Sequence, residues 1–491
     1  MQKIIIKYGI AFHIILIGIF SLGSLFAGGA VNSATPLFWL SLIALEFGVL
    51  IPSVRRDEDF ALARSRVRMG LLWDPLLYLS LASLIGLLVQ FWNSGCKLVY
   101  DTSSNLWKMG DPPLPNLPFA VESGFPLQGL LVLFSVFAVA LLIRNCIGNS
   151  SRSLILNTLA IFSGSLAWVM GLASAFFTRE QLGLPPPVLE VAGCAFGFWA
   201  IFSLGLFARE GAFYFRLVLL ALGVGGNLAG LLLFSSPLTM LLGGGLFILG
   251  GLLLFIFLWN SSKMSNVVRF AAVSILLLFA FLALVRFSAQ GNPVREKISL
   301  LSSGDEAGKE AKTYALPSFW KTFSSEHAVR SEASISIFKD YPWFGVGKGG
   351  FASFVGLYIQ DESAWEHIDG DRSTVMNEFL QMLVEGGLVG TTLSLALIFL
   401  LFAPLACRTY GWFNGSCSRG GRGGGSAPFP PSVLAGYLAL LLLFLVAGFE
   451  RSLSAPAILV PFVTVLSCLA SFLPRPLVKT VEDVEDGAED E

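Results

Sequence analysis

Long runs of apolar residues alternate with short polar turns along most of the 491-residue chain. Most runs are about 18 residues or longer, the length an α-helix needs to cross the hydrocarbon core of a bilayer. Gly, Pro and Ser mark the turns between several of them. We predict twelve membrane-spanning helices, at about residues 8–28, 36–53, 71–92, 125–145, 153–177, 187–208, 213–234, 237–259, 266–286, 379–406, 433–449 and 455–474.

One long polar segment interrupts this pattern between the ninth and tenth predicted helices. The interruption divides the chain into a membrane domain at 1–286, a large loop at 287–378, a second membrane domain at 379–474 and an acidic tail at 475–491. The expected fold is therefore an all-α polytopic membrane protein with one large outer loop. Because the spans carry few charged residues, the loop is the first place to look for chemistry.

Lysine and arginine in the short loops predict the orientation of the chain in the membrane. Positive residues favour the cytoplasmic side, and one set of loops contains most of them: Arg55, Arg56, Arg64, Arg66, Arg68, Arg144, Arg152, Arg209, Lys263, Arg408, Arg419 and Arg422. Both termini are then cytoplasmic, and the 287–378 loop lies outside the cytoplasm.

Composition excludes several classes of protein. The chain is 55% hydrophobic and 13% charged, too few charges to cover the surface of a soluble protein. Its net charge is −1 and no basic patch is visible, so we expect no nucleic-acid partner. The six cysteines form no C-x-x-C pair, which favours neither a disulfide framework nor a zinc site. We expect no metal and no cofactor.

The large loop contains a predicted helix followed by a glycine-rich turn. The helix runs from His327 to a stop at Tyr341-Pro342, since a residue before proline resists helical geometry. His327 and Arg330 are three positions apart and share one face. Gly345 and Gly347 then allow a tight turn or a close approach to a ligand or another helix.

A polar stripe begins the tenth predicted span. Asn377, Gln381 and Glu385 are spaced four apart, so they lie on one face of a helix. Glu385 is about two turns into the span, where an uncompensated charge costs about 2.5–3.5 kcal/mol. We expect it to face water or a partner. Glu378, at the start of the helix, is a second carboxylate close to this stripe.

Several arginines are expected at the outer surface near the loop. Arg179, Arg286 and Arg451 follow or precede predicted spans on that side, and Arg330 lies in the loop itself. Guanidinium groups that converge in this way suit a phosphate or diphosphate group, which they bind with paired hydrogen bonds.

These elements, in this order, resemble the O-antigen ligase and O-antigen polymerase family. The shared pattern is Arg, then Pro-x-x-Gly-x-Gly, then Asn-x-x-Leu-Gln-x-x-x-Glu-x-Gly-x-x-Gly. Here it comprises Arg330, Pro342, Gly345, Gly347, Asn377, Leu380, Gln381, Glu385, Gly387 and Gly390.

The resemblance implies a metal-independent, inverting glycosyltransferase in the bacterial inner membrane. It would move a glycan from undecaprenyl diphosphate to a hydroxyl on a glycan or lipid acceptor at the outer face, in cell-surface polysaccharide synthesis. It also implies that Arg330 binds the diphosphate, with Arg179, Arg286 and Arg451 as candidates by location. Membrane lipids surround the protein, and the pattern does not distinguish a ligase from a polymerase.

One position departs from the family pattern. The family's histidine, the expected general base, stands directly before the asparagine, and here that residue is Met376. His367 is the first substitute, followed by His327 and Glu378. A histidine with a near-neutral pKa suits removal of a proton from a sugar hydroxyl.

Two other classes of function fit parts of the sequence. A secondary transporter or glycolipid flippase often has twelve spans, but it needs charges near the bilayer midplane, where Glu46 and Asn227 are the sparse candidates. A non-catalytic member of an envelope polysaccharide assembly complex would explain the absence of the family histidine.

Overall fold

A computed structural model of the chain describes residues 31–51, 60–102, 106–176, 186–259, 316–359, 375–413, 429–450 and 455–473, with isolated positions before residue 31. Most of these residues are helical. The helices are α1 (Val31–Leu50), α2 (Phe60–Trp73), α3 (Pro75–Trp92), α4 (Gly124–Leu141), α5 (Asn149–Phe176), α6 (Pro186–Arg209), α7 (Phe213–Val218), α8 (Asn227–Phe234), α9 (Pro237–Trp259), α10 (Leu316–Asp340), α11 (Phe351–Tyr358), α12 (Glu378–Phe413), α13 (Pro431–Ala447) and α14 (Pro456–Leu469).

Three helices are extended by turns of different pitch, and one hairpin departs from the expected all-α fold. A π-helical segment, Leu142–Cys146, continues α4, a second, Leu219–Gly226, joins α7 to α8, and a 3₁₀ turn, Ala470–Phe472, follows α14. Strands β1 (Leu98–Asp101) and β2 (Leu106–Met109) pair antiparallel, Leu98 opposite Met109 and Asp101 opposite Leu106. The hairpin lies between α3 and α4.

The apolar helices make this a multi-pass membrane protein. In the described ranges, six segments are long and apolar enough to cross a bilayer: Pro75–Trp92, Gly124–Cys146, Ser151–Ser174, Glu190–Arg209, Phe213–Phe234 and Glu378–Phe413. Four shorter apolar helices are Ala34–Leu50, Leu238–Leu254, Pro431–Ala447 and Pro456–Phe472. Helices satisfy their own backbone groups in lipid, where water is absent. These ten segments correspond to predicted spans.

Two predicted spans are not covered. The 266–286 span lies outside the described residues, and so does most of the 8–28 span. The total of twelve, the boundaries of the four regions and the orientation of the termini therefore stay predictions.

The third predicted span, 71–92, began too early. The structure places a helix end at Trp73 and starts α3 at Pro75, because Asp74 caps the new helix. Its Oδ1 accepts a hydrogen bond of 3.0 Å from the Leu76 backbone N–H, and its Oδ2 lies 3.2 Å from Nε of Arg144. A short polar side chain before a proline strongly favours the start of a helix at that point. Hydropathy alone does not detect this signal.

The main core lies where α4, α6, α13 and α14 meet. Small residues let these helices approach closely, as is usual in membranes: a Cβ placed on Gly205 of α6 would lie 2.5 Å from the Ala435 Cβ of α13. Asn227 is fully buried and bridges helices, donating to the Ala160 carbonyl at 3.0 Å and accepting from Ser163 Oγ at 2.7 Å. Glu46, by contrast, is exposed on α1.

A second apolar cluster lies apart from the main core. It joins α10, α11, the 341–350 turn, the segment around the β-hairpin and the first part of α12, and its buried members include Phe119, Ile337, Val346, Phe354 and Val384. This cluster supports the residues predicted to carry chemistry, and we call it the outer core.

Candidate functional site

Helix α10 holds His327 and Arg330 on one face. It ends at Asp340, directly before Tyr341-Pro342, as the sequence predicted, but it begins at Leu316, eleven residues before the predicted start at His327. The Arg330 side chain is 1% exposed, and the Arg330 carbonyl accepts a hydrogen bond of 2.6 Å from Ser334 Oγ. Further along this helix, Ala333 and Ile337 belong to the outer core. Packing of α10 into that core thus carries Arg330 into the protein interior.

His327 lies one turn before Arg330 and is partly buried. Burial lowers the pKa of its imidazole, and the positive charge of Arg330 lowers that pKa further. Both effects disfavour the protonated ring. The unprotonated ring, which can accept a proton, is therefore the favoured form of His327.

Asn377 caps α12, which packs against α10. Its Oδ1 accepts hydrogen bonds from the backbone N–H groups of Phe379 at 3.0 Å and Leu380 at 3.1 Å. These are donors that the first helical turn otherwise leaves unpaired. Its Nδ2 donates to the carbonyl of Gly448 at 2.9 Å, in the turn after α13. One side chain therefore both starts α12 and joins it to a third helix.

The predicted polar stripe forms a connected chain of hydrogen bonds. Gln381 Oε1 accepts from the Val375 backbone N–H at 2.8 Å, and Gln381 Nε2 donates to Glu385 Oε1 at 2.5 Å. Glu385 Oε2 lies 3.1 Å from Lys348 Nζ. Since the Glu385 side chain is only 5% exposed, Lys348 is the partner that the sequence analysis required.

Helix α12 is broken at Gly387, where the sequence predicted an uninterrupted span. Gly387 has φ 59° and ψ −163°, which no helix allows. In a continuous helix the N–H groups of Leu388 and Val389 would bond to the carbonyls of Val384 and Glu385. The break separates these two donors from these two acceptors.

The 342–347 turn inserts into the break and satisfies all four groups. Leu388 donates to the Pro342 carbonyl at 2.8 Å, and Val389 to the Trp343 carbonyl at 3.1 Å. Val346 N–H donates to the Val384 carbonyl at 2.9 Å, and Gly347 N–H to the Glu385 carbonyl at 3.0 Å. Four hydrogen bonds thus replace the two of a continuous helix. Each of the four donors and four acceptors in these bonds is paired.

Gly345 and Gly347 are required by both backbone angle and space. Their φ values are 66° and 80°, in the left-handed region. A Cβ on Gly345 would lie 2.2 Å from the Val384 carbonyl oxygen, and one on Gly347 would lie 1.9 Å from the Phe119 carbonyl oxygen. Both glycines make the close approach that the sequence predicted, and the group they approach is the backbone of the protein itself.

Two residues of this site were missed by the sequence analysis. Gln90, at the end of α3, accepts a hydrogen bond of 3.2 Å from the Lys348 backbone N–H through Oε1. It is 9% exposed, and a glutamine in an otherwise apolar span is the signal that would have indicated it. Lys348 lies in the glycine-rich turn, where no sequence pattern marks it as the partner of Glu385.

Glu378 and Met376 flank Asn377. Glu378 is 2% exposed, and its Oε2 has no hydrogen-bond partner among the residues the structure describes. Met376 has φ 59°, a conformation that residues with a side chain seldom adopt and that recurs at functional sites.

The structure brings most of the predicted site residues together. His327 and Arg330 lie on α10, Asn377, Glu378, Gln381 and Glu385 on the adjoining start of α12, and Gly345 and Gly347 in the turn that enters its break. His367, Arg179, Arg286 and Arg451 lie outside the described residues. Within the described part no group of three or more His, Cys, Asp or Glu is placed to bind a metal ion.

One stretch of the chain is similar to a known protein family. Residues 227–395 match the O-antigen ligase family model. The resemblance predicted from Arg330, Gly345 and Asn377 is confirmed over this range, which runs from α8 into α12. The match supports a membrane glycosyltransferase-like role in polysaccharide assembly. No curated protein matches the chain.

Proposed function

We propose that the protein transfers a glycan from undecaprenyl diphosphate to a hydroxyl acceptor at the outer face of the bacterial inner membrane. The observation that carries this proposal is a buried arginine, Arg330, one helical turn after a partly buried histidine, within the range that matches O-antigen ligase. Both helices of the site, α10 and α12, belong to that range at least in part.

Arg330 would hold the leaving diphosphate. A guanidinium donates two parallel hydrogen bonds to phosphate oxygens, and in a buried site these bonds are stronger than in water. Negative charge develops on the diphosphate as its bond to the sugar breaks, so a donor there lowers the barrier. Because Arg330 is 1% exposed, side chains that cover it must move when the donor binds.

A base would take the proton of the acceptor hydroxyl. His327 suits this role since its lowered pKa favours the unprotonated ring. Glu378 and His367 are the other candidates. The acceptor oxygen attacks the anomeric carbon from the face opposite the diphosphate, which inverts that centre. Undecaprenyl diphosphate departs with the bonding electrons. Arginine neutralises its charge, and the reaction so described is metal-independent.

The test is turnover by the purified full chain with an undecaprenyl-diphosphate-linked glycan. We expect Arg330→Ala to lower the transfer rate at least about 100-fold at unchanged protein abundance. Arg68→Ala, which removes an exposed arginine of α2, is the matched control and should leave the rate unchanged. Wild-type turnover by Arg330→Ala would remove Arg330 from the mechanism.

Met376 favours a second candidate, a non-catalytic member of a polysaccharide assembly complex. This residue occupies the position of the family's expected base. A protein with this role would show no turnover when purified, yet its deletion would still shorten or abolish the surface glycan. The glycan profile of a deletion strain also distinguishes a polymerase from a ligase. Loss of long chains indicates a polymerase, and unattached lipid-linked polymer indicates a ligase.

A further inference from the structure

The turn after α13 lies beside the start of α12. Asn377, which caps α12, donates from Nδ2 to the Gly448 carbonyl at 2.9 Å. Two residues further on, Glu450 closes the same turn, outside the Pro431–Ala447 span. Glu450 is therefore held close to the group of residues that begins α12, although it lies outside the range that matches O-antigen ligase.

The Glu450 carboxylate is held by two hydroxyl groups at the start of α9. Ser236 Oγ donates to Oε1 at 2.5 Å, and Thr239 Oγ1 donates to Oε2 at 2.9 Å. Glu450 is partly buried, and part of the residue remains accessible. A carboxylate offers about four acceptor positions, so two of them remain after both contacts are made.

Helix packing alone does not account for a charged group at this place. The start of α9 already has its own cap, since Ser236 Oγ accepts from the Thr239 backbone N–H at 3.1 Å. No lysine or arginine of the described ranges forms an ion pair with Glu450. Burial raises the pKa of this carboxyl, and the hydrogen bonds from Ser236 and Thr239 oppose that shift. A partly buried carboxyl group that contacts hydroxyl groups and pairs with no cation among the described residues suggests a ligand.

We propose that Glu450 binds a sugar hydroxyl of the acceptor glycan through its two remaining acceptor positions. The inference rests on the proposed function. A carboxylate whose described partners are hydroxyl groups attracts further neutral O–H donors, as its contacts with Ser236 and Thr239 demonstrate, and it repels a diphosphate. The acceptor, rather than the diphosphate of the donor, is thus the substrate that suits the Glu450 side chain.

The experiment measures KM and kcat for each substrate separately. The probes are the undecaprenyl-diphosphate-linked glycan and the lipid-anchored oligosaccharide acceptor, each purified from a host strain that lacks this gene. Glu450→Gln keeps the size and one acceptor oxygen of the side chain. We expect it to raise KM for the acceptor about tenfold, as loss of a hydrogen bond to a charged group does, with kcat, KM for the donor and Tm unchanged. Glu332→Gln, at an exposed position of α10, is the matched control.

A second variant separates binding from packing. Ser236→Ala combined with Thr239→Val removes both internal contacts but leaves the carboxylate. If Glu450→Gln and this variant lose Tm and activity in parallel, Glu450 is a packing residue and the inference is overturned. An unchanged acceptor KM in Glu450→Gln also overturns it, and so does a large loss of kcat alone, which would make Glu450 the base. In each of these three cases the proposed transfer reaction still stands if Arg330→Ala is inactive. Absence of turnover by the wild-type protein would overturn both the transfer reaction and the role of Glu450.

Discussion

Lys348 and Glu385 form a salt bridge of 3.1 Å, although 37 positions separate them in the chain. Glu385 is 5% exposed and Lys348 is 31% exposed, so one end of the pair is buried and the other reaches the surface. The bridge fastens the glycine-rich turn to the first part of α12, the same two segments that exchange four backbone hydrogen bonds. Side-chain and backbone contacts thus reinforce one junction.

Lys348→Met should destabilise the protein by about 1–3 kcal/mol, because it leaves the buried Glu385 carboxylate without its cation. Glu385→Gln should cost less, since an amide keeps a hydrogen bond with Gln381. The double variant should cost less than the sum of the two single variants. Thermal unfolding in detergent measures all three, with Lys339→Met, at an exposed position, as control. Additive effects would show that the salt bridge contributes nothing.

Gly387→Ala should cost at least about 2 kcal/mol, because alanine at φ 59° is strained. The new Cβ would also lie 2.5 Å from the Trp343 carbonyl carbon. Gly390→Ala, three residues later, meets no atom within 4 Å and should be neutral or slightly stabilising. The comparison of Tm between these two variants tests the break in α12; equal effects would contradict it.

Asn377→Ala should lose both functions of the side chain, about 1 kcal/mol for the helix cap and a further amount for the contact with Gly448. Asn377→Asp retains the oxygen that caps α12 but cannot donate to the Gly448 carbonyl. It should therefore fall between the wild type and Asn377→Ala in Tm. An aspartate variant as unstable as the alanine variant would mean that the cap contributes little.

Acidification should destabilise the protein through His327. Its folded-state pKa lies below the unfolded value of about 6.5, so the unfolded state binds more protons between these two values. The contribution of His327 to the free energy of unfolding is therefore complete above about pH 6.5, and it declines as the pH falls towards the lowered pKa. His327→Gln should flatten this part of the Tm–pH curve. The other histidines are retained in both proteins, so the difference between the curves isolates His327.

Met376→Gly should preserve or raise the stability of the protein, since glycine adopts φ 59° without strain. Met376→Ala keeps the strain and loses the side chain, so it should be less stable than the glycine variant. Tm values of the two variants give the comparison. A glycine variant less stable than the alanine variant would show that the backbone angle at position 376 costs little.

Local patterns predicted much of the fold but not the junction at α12. The predicted 237–259 span agrees with Pro237–Trp259, and the end of α10 at Asp340 follows from Pro342, because both depend on hydropathy or backbone geometry within a few residues. The break at Gly387 depends on a turn about forty residues earlier in the chain, and no local pattern encodes which glycine receives it.

The chemistry was predicted residue by residue but not as contacts. A charge in an apolar span predicted that Glu385 needs a partner, yet the partner, Lys348, lies in another segment. Gln90 contacts Lys348 across 258 positions, and Glu450 contacts Ser236 across 214 positions. Such contacts follow from the arrangement of helices, which periodicity does not determine.

The junction between the 342–347 turn and α12 has a consequence for how the protein is made. Leu388 and Val389 depend on Pro342 and Trp343 to satisfy their backbone donors, and a span entering lipid with unsatisfied donors loses several kcal/mol for each. The 342–347 turn must therefore reach α12 before these donors are paired. Assembly of this part of the protein thus has an order, in which the break in α12 is completed only after the earlier turn has docked against it.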